Sequence, residues 1–142
     1  MIINSKFMVV VRIVNNMNLK TIMAVGIGGV IGTLLRYTVS LTFMTNSGFP
    51  LATLLVNLSG CFILSFILTF SSLKWKSQPL FITAFNVGVI GSFTTFSTFV
   101  VEVAQLLPSH LGLTLLYASG SLVGGIICAF IGYYVAHTLK IR

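Results

Sequence analysis

Four apolar segments follow one another along the chain, and each is long enough to cross a bilayer. They run from about Ile22 to Met44, Leu51 to Ser71, Leu80 to Leu107 and Leu111 to Ala136. Because about 20 apolar residues in a helix span the hydrocarbon core, this pattern predicts four transmembrane helices joined by short loops. The predicted fold class is therefore an all-α membrane protein.

The third segment differs from the others because polar residues interrupt it near mid-membrane depth. Between Ser92 and Thr98 five of seven residues carry a hydroxyl group, and Gly88 and Gly91 stand just before them. Such sequence is tolerated at this depth where it is buried in protein or lines a wet cavity. One or two hydroxyls could simply bond back to carbonyls of their own helix. A cluster of five favours a functional site at a break in the third helix.

The chain before the first span allows two interpretations. The apolar run from Phe7 to Val14 is too short to cross a bilayer. It is either an interfacial segment or the result of a translation start placed upstream of a true start at Met17 or Met23. We accordingly predict an N-terminal extension, residues 1–20, and one four-helix transmembrane domain, residues 21–142.

Composition agrees with a membrane protein and restricts its chemistry. Of the 142 residues 56% are hydrophobic and 6% are charged, whereas soluble domains carry about 25% charged residues. The net charge of +7 comes from basic residues that stand singly at the ends of apolar segments, which is typical of membrane anchors and not of nucleic-acid binding. Glu102 is the only acidic residue in the sequence. This excludes paired-carboxylate and Ser-His-Asp catalysis, so we expect no enzyme.

The basic residues also predict the orientation in the cell membrane. Four spans place both termini and the turn between the second and third spans on one side. These segments hold seven Lys and Arg residues, and the two opposite loops hold none. By the positive-inside rule, both termini of this multi-pass protein are predicted to be cytoplasmic.

The uncharged polar residues offer hydrogen-bond donors, which favours a small anion as the transported species. Asn57 in the second span supplies two N–H donors, although a lone membrane Asn more often forms contacts between helices. Phe96 and Phe99 share roughly one face, either as core packing or with their positive ring edges turned to an anion. Arg36, near the end of the first span, is either a snorkelling charge or a positive charge at a vestibule mouth.

Three motifs carry a resemblance to a known family. They are Gly28-x-x-x-Gly32-x-x-x-Arg36-Tyr37, Thr53-x-x-Val56-Asn57-x-x-Gly60-x-Phe62 and Gly91-x-x-Thr94-Thr95-Phe96-Ser97-Thr98-Phe99-x-x-Glu102. In this order and spacing they resemble the Fluc (CrcB-type) fluoride channel family over all four spans. The sequence departs from the family pattern at Ala52, Ser65 and Ser92, where glycine is usual, and at Gly125, where a hydroxyl is usual.

The resemblance implies an antiparallel dimer of four-span subunits with two narrow fluoride pathways and a structural Na⁺ at the dimer centre. The backbone carbonyls of Gly91 and Thr94 would hold the Na⁺. Phe96 and Phe99 would line each pathway with ring edges, and Asn57 would donate a hydrogen bond beside them. The resemblance also assigns Ser97, Thr98, Tyr117 and Ser121 to the pathway, Arg36 to the aqueous vestibule and Glu102 to a position beyond the aromatic pair.

The charge bias leads to an expectation about the partner subunit. Subunits of an antiparallel homodimer must insert in both orientations and should carry a weak bias, whereas seven against zero is strong. We therefore expect this chain to insert in one orientation and to pair with a related, oppositely oriented subunit. A homodimer is the other possibility.

Two other functions fit parts of the sequence. A proton-coupled exporter of drugs or cations would need a membrane-embedded carboxylate, and Glu102 is the only candidate. A non-conducting accessory subunit of a heterodimer would need no pathway residues. Passive export of cytoplasmic fluoride remains the favoured function.

Overall fold

The structure is a computed structural model, and it describes the chain in three stretches: residues 18–43, 48–74 and 79–141. Over these stretches it contains helices and no strand. Its four helical segments long and apolar enough to cross a membrane are Leu19–Thr42, Leu51–Ser71, Leu80–Leu106 and Leu111–Leu139. The prediction of an all-α, four-span membrane protein is confirmed. Residues 1–17 of the predicted N-terminal extension lie outside the described residues.

Three of the spans are single helices, and the third is built from four pieces. The single helices are α1 (Leu19–Thr42), α2 (Leu51–Lys74) and α6 (Leu111–Ile141). The third span consists of α3 (Pro79–Thr83), a π-helix (Ala84–Ile90), the short α4 (Gly91–Phe93) and α5 (Phe96–Leu106). The final helix continues past the predicted end at Ala136, because no glycine or proline follows to stop it.

The pair formed by α2 and α6 is the most extensive helix contact in the described residues. Its two helices run in the same direction, since Gly124 faces Leu58 and Gly132 faces Phe62. Small residues on α6 allow the close approach. A Cβ atom added at Gly132 would overlap the Phe62 carbonyl oxygen, and one at Gly124 would lie 3.0 Å from a Leu58 methyl carbon. These two helices therefore form one closely packed half of the subunit.

The other half is the pair of α1 and the π-helix, which meet backbone to backbone. A Cβ atom added at Gly28 would lie 2.6 Å from the Ala84 carbonyl oxygen, and one at Gly88 would lie 2.6 Å from the Val25 carbonyl oxygen. The glycines of α1 thus make their close contact with the third span. This contact fixes the position of the segment that leads into the helix break.

The π-helix has no counterpart among the predicted elements. It ends where the Gly91 N–H donates to the carbonyl of Asn86, five residues earlier, and also to that of Gly88. One extra residue turns everything that follows by about 100° relative to an uninterrupted α-helix. The π-helix therefore determines which face α4 and the break present to the rest of the subunit.

Replacement of Gly32 by alanine is expected to destabilise the α1 contact, because the new Cβ would overlap the Val89 carbonyl oxygen. Overpacking of this kind costs about 1–3 kcal/mol. Thermal unfolding of the purified protein in detergent should show a lower midpoint for Gly32→Ala than for wild type. Gly26→Ala on the same helix is the matched control, since nothing lies within 4 Å of its added Cβ. Equal midpoints for the two variants would contradict the packing described here.

Candidate functional site

The helix break occupies Thr94 and Thr95, whose backbones are extended between α4 and α5. Thr94 has φ −78° and ψ 156°, and Thr95 has φ −147° and ψ 123°. Thr95 caps α5, since its hydroxyl oxygen accepts the Thr98 N–H at 3.2 Å and its O–H donates to Thr98 Oγ1 at 2.9 Å. Two hydroxyls of the cluster therefore serve first to begin α5, while the Thr94 hydroxyl bonds back to the Ile90 carbonyl of its own helix.

Asn57 of α2 joins the break to the rest of the subunit. Its Nδ2 donates to the Thr95 carbonyl oxygen at 2.9 Å, and its Oδ1 accepts the Thr95 N–H at 2.9 Å. A single side-chain amide thus satisfies both backbone groups of one residue. One N–H of the Asn57 amide remains for another acceptor.

A groove of about 340 Å³ runs along the outside of this amide. It is formed where α2, the break, α5 and α6 meet. Its lining residues are Asn57, Gly60, Cys61, Leu64, Thr94, Thr95, Phe96, Phe99, Ser121 and Leu122. The Ser121 hydroxyl oxygen is buried and makes no hydrogen bond to the protein. A buried hydroxyl without a partner is rare in folded proteins, so it indicates a place for a polar ligand or water in the groove.

Aromatic rings form one wall of the groove and continue inward. The Phe96 and Phe99 ring centroids lie 6.0 Å apart, and the Phe99 and Tyr117 centroids lie 5.2 Å apart. Phe96 is 77% exposed, whereas Tyr117 is fully buried. The aromatic row therefore leads from the surface of the subunit into its interior.

The single carboxyl side chain of the sequence, that of Glu102, lies at the inner end of this row. Glu102 Oε1 accepts the Thr53 hydroxyl at 2.7 Å, and its Oε2 accepts the Tyr117 hydroxyl at 2.6 Å. These bonds connect α2, α5 and α6 at one point. Glu102 also borders a wider polar vestibule of about 490 Å³, together with Thr98 and Gln105. The vestibule opens between the end of α1 and the start of α2.

Comparison with known proteins decides the family. The family model described as CrcB-like protein, Camphor Resistance (CrcB), matches residues 23–133. The chain belongs to the CrcB family. The resemblance found in the sequence motifs is thereby confirmed.

Curated relatives agree with this CrcB assignment over most of their length. The fluoride-specific ion channel FluC 1 of Bacillus thuringiensis subsp. konkukian is 46% identical over 112 residues, which are 77% of this chain and 82% of the relative. FluC 2 of Geobacillus kaustophilus is 38% identical over 117 residues, 80% of this chain and 91% of the relative. FluC 1 of Desulfitobacterium hafniense is 38% identical over 110 residues, which are 77% of this chain and 96% of the relative.

The geometry brings together most of the site residues predicted for this CrcB-family chain. The groove collects Asn57, Thr94, Phe96, Phe99 and Ser121. The vestibule collects Thr98 and Glu102, and Tyr117 stands between the two cavities. The remaining three predicted residues, Arg36, Gly91 and Ser97, line neither cavity.

Two residues of the site were absent from the predicted set. Thr53 bonds to Glu102, and Thr95 carries the backbone groups that Asn57 holds. Thr53 stands four residues before Asn57, on the same helix face, and this spacing could have indicated that Thr53 belongs to the site. Nothing local in the sequence indicates that Thr95 is the residue paired with Asn57, because the bond joins residues 38 positions apart.

Removal of the Tyr117 hydroxyl is expected to destabilise this CrcB-family protein. Tyr117→Phe leaves one carboxyl oxygen of Glu102 without its donor, which costs about 1–3 kcal/mol. Tyr134→Phe on the same helix is the control, because Tyr134 is 71% exposed. Thermal unfolding in detergent should rank Tyr117→Phe clearly below Tyr134→Phe. If both variants unfold like wild type, the three-helix contact at Glu102 adds nothing to stability.

Proposed function

We propose that this chain is a fluoride-specific ion channel that passively releases cytoplasmic fluoride, and not an enzyme. The observation that carries the proposal is the groove, in which an amide, a hydroxyl without a partner and two aromatic rings converge. These groups offer donors and positive ring edges, whereas no carboxylate lines the groove. The names of the curated relatives support the same substrate.

The pathway would begin at the groove and end at the vestibule. Fluoride would meet the ring edges of Phe96 and Phe99, the free N–H of Asn57 and the Ser121 hydroxyl. Ring edges hold an anion weakly, so it can leave again, which conduction requires. Beyond Phe99 the Tyr117 and Glu102 positions separate the groove from the vestibule. Ser97 and Thr98 would contribute hydroxyls at the start of α5, and Arg36 would attract anions near the mouth.

A structural Na⁺ belongs to the same proposal, with the backbone carbonyls of Gly91 and Thr94 as its ligands. In an unbroken helix the Thr95 N–H would bond to the Gly91 carbonyl, whereas here it bonds to Asn57. Gly91 is also exposed on the subunit surface. Carbonyl oxygens suit a hard cation, and the described residues contain no cluster of three His, Cys, Asp or Glu side chains that could hold one instead.

The channel would be a dimer in which the exposed side of the break faces a second, antiparallel subunit. The 77% exposure of Phe96 supports this arrangement, because a pathway residue needs a second wall. The strong bias of basic residues to one side supports a related, oppositely oriented partner with both termini of this chain in the cytoplasm.

A proton-coupled exporter is less compatible with the geometry around Glu102. Both carboxyl oxygens already accept short hydrogen bonds, from Thr53 and from Tyr117. An exchanging proton would have to disrupt this contact between three helices on every cycle. An accessory subunit without flux would have no use for the polar groups that converge in the groove.

Efflux from fluoride-loaded liposomes tests the channel. We expect fast fluoride release and no chloride release from liposomes that hold this chain, alone or co-expressed with a related subunit. Phe96→Ile and Phe99→Ile should slow release by about tenfold, a barrier increase of about 1.4 kcal/mol, since they remove the positive ring edges that would stabilise the anion. Phe130→Ile is the control, because Phe130 is 70% exposed on α6 and lies away from the groove.

The outcomes separate the candidate functions. Wild-type rates in both groove variants would show that the rings do not carry the anion. Complete absence of release in both preparations would contradict the channel and leave the accessory subunit. Loss of proton-driven export of a cation with Glu102→Gln would favour the exporter.

Topology mapping tests the fixed orientation. Because the bias is seven basic residues to none, single cysteines introduced near the C-terminus should be protected from a membrane-impermeant thiol reagent in intact cells. Cysteines introduced in the loop around residue 110 should react. Equal labelling of both positions would show insertion in both orientations and would favour a homodimer.

A further inference from the structure

The bond pair between Asn57 and Thr95 gives Asn57 a second task in addition to any contact with fluoride. The distances are 2.9 Å for each of its two hydrogen bonds, and both go to backbone atoms of the break. Thr95 itself is 8% exposed, so water cannot readily replace these bonds. The amide therefore replaces, within the membrane, the partners that an uninterrupted helix would have provided.

This replacement determines which carbonyl groups are left over. The Thr95 N–H is the natural partner of the Gly91 carbonyl in a helix, and Asn57 takes it instead. Thr94 remains tied to α4 at its other end, because its N–H and its hydroxyl both donate to the Ile90 carbonyl at 3.0 Å. The segment that carries the Gly91 and Thr94 carbonyls is therefore held at two points. The Ile90 carbonyl accepts the bonds from Thr94, and Asn57 binds Thr95.

We propose that Asn57 is a positioning residue for the sodium-binding carbonyls of Gly91 and Thr94. This inference rests on the proposed function, since it takes the sodium site from there. Asn57 holds Thr95 away from the helix axis, which keeps the Gly91 carbonyl free and the Thr94 carbonyl in its extended geometry. Without Asn57 the Thr95 N–H would return to Gly91, and the break would close by one hydrogen bond.

The same amide faces the groove, so it links the cation and the anion. Its remaining N–H is available to an acceptor in the groove, while its other N–H and its oxygen hold the break. A residue that only donates to fluoride would leave sodium binding unchanged when it is replaced. A positioning residue would change sodium binding even when fluoride is absent.

The experiment measures sodium affinity without any flux. The full chain, with its partner subunit where wild type requires one, is titrated with Na⁺ against N-methylglucamine at constant ionic strength, and the thermal unfolding midpoint is recorded. Asn57→Leu should raise the Na⁺ concentration for half-maximal stabilisation by about tenfold or more, the effect of losing one net hydrogen bond. Ser121→Ala is the control, because Ser121 lines the groove but makes no bond to the break. Ser121→Ala should slow fluoride release and leave the Na⁺ concentration for half-maximal stabilisation within about twofold of wild type.

The results are distinguishable from a failure of the proposed function. If Asn57→Leu needs the same Na⁺ concentration as wild type for half-maximal stabilisation but has lost fluoride release, Asn57 acts on fluoride alone. That result would overturn the inference. Absence of any sodium effect on wild type would remove the sodium site itself, and with it the inference, while fluoride release would still test the channel.

Hydrogen exchange on the wild-type protein provides a second measurement if Asn57→Leu does not assemble. Replacement of Na⁺ by N-methylglucamine should speed exchange in the segment 91–95 by about tenfold, because the carbonyls and the Asn57 bonds hold one another in place. The segment 113–119 of α6 is the reference and should exchange at an unchanged rate. Equal exchange of segment 91–95 in the two salts would overturn the inference.

Discussion

Backbone hydrogen bonding inside a membrane is the constraint on which this structure depends. A helix that breaks at mid-depth exposes N–H and carbonyl groups that no water or lipid can satisfy. Here the break is two residues long, and one side chain, Asn57, satisfies both backbone groups of the second. The Thr95 hydroxyl then begins the next helix. The break is stable because α2 brings the Asn57 amide to the depth of Thr95. The packing of α2 must therefore be accurate before the site can form.

That accuracy comes from small residues. The α2–α6 pair approaches closely at Gly124 and Gly132, and the α1–π-helix pair approaches closely at Gly28 and Gly88. Each pair is closely packed because glycines admit the neighbouring helix: Gly28, Gly88 and Gly132 face backbone atoms, and Gly124 faces the Leu58 side chain. The break lies between the two pairs, where α4 ends and α5 starts. The glycines of α1, the π-helix and α6 therefore determine where the polar groups of the break meet the groove.

The sequence was sufficient for the large features because their signals are local. Hydropathy determines where helices cross the membrane, and a hydroxyl cluster within an apolar segment marks the break. The π-helix from Ala84 to Ile90 carries no such signal, because its apolar residues would serve equally well in an α-helix. The partners of Asn57 and Glu102 were also beyond reach, since each bond joins residues from different spans. Arg36 lines neither the groove nor the vestibule.

The only carboxyl side chain of the sequence, Glu102, does not line the groove proposed for the anion. An unpaired carboxylate beside the proposed route would repel fluoride, and that repulsion would be strong in a poorly polar interior. The Thr53 and Tyr117 hydroxyls both point their dipoles at Glu102, at 2.7 and 2.6 Å. These two short bonds tie both carboxyl oxygens to α2 and α6, and Glu102 does not line the groove. The acid can therefore hold three helices together at the inner end of the aromatic row, while the groups left facing the groove remain donors.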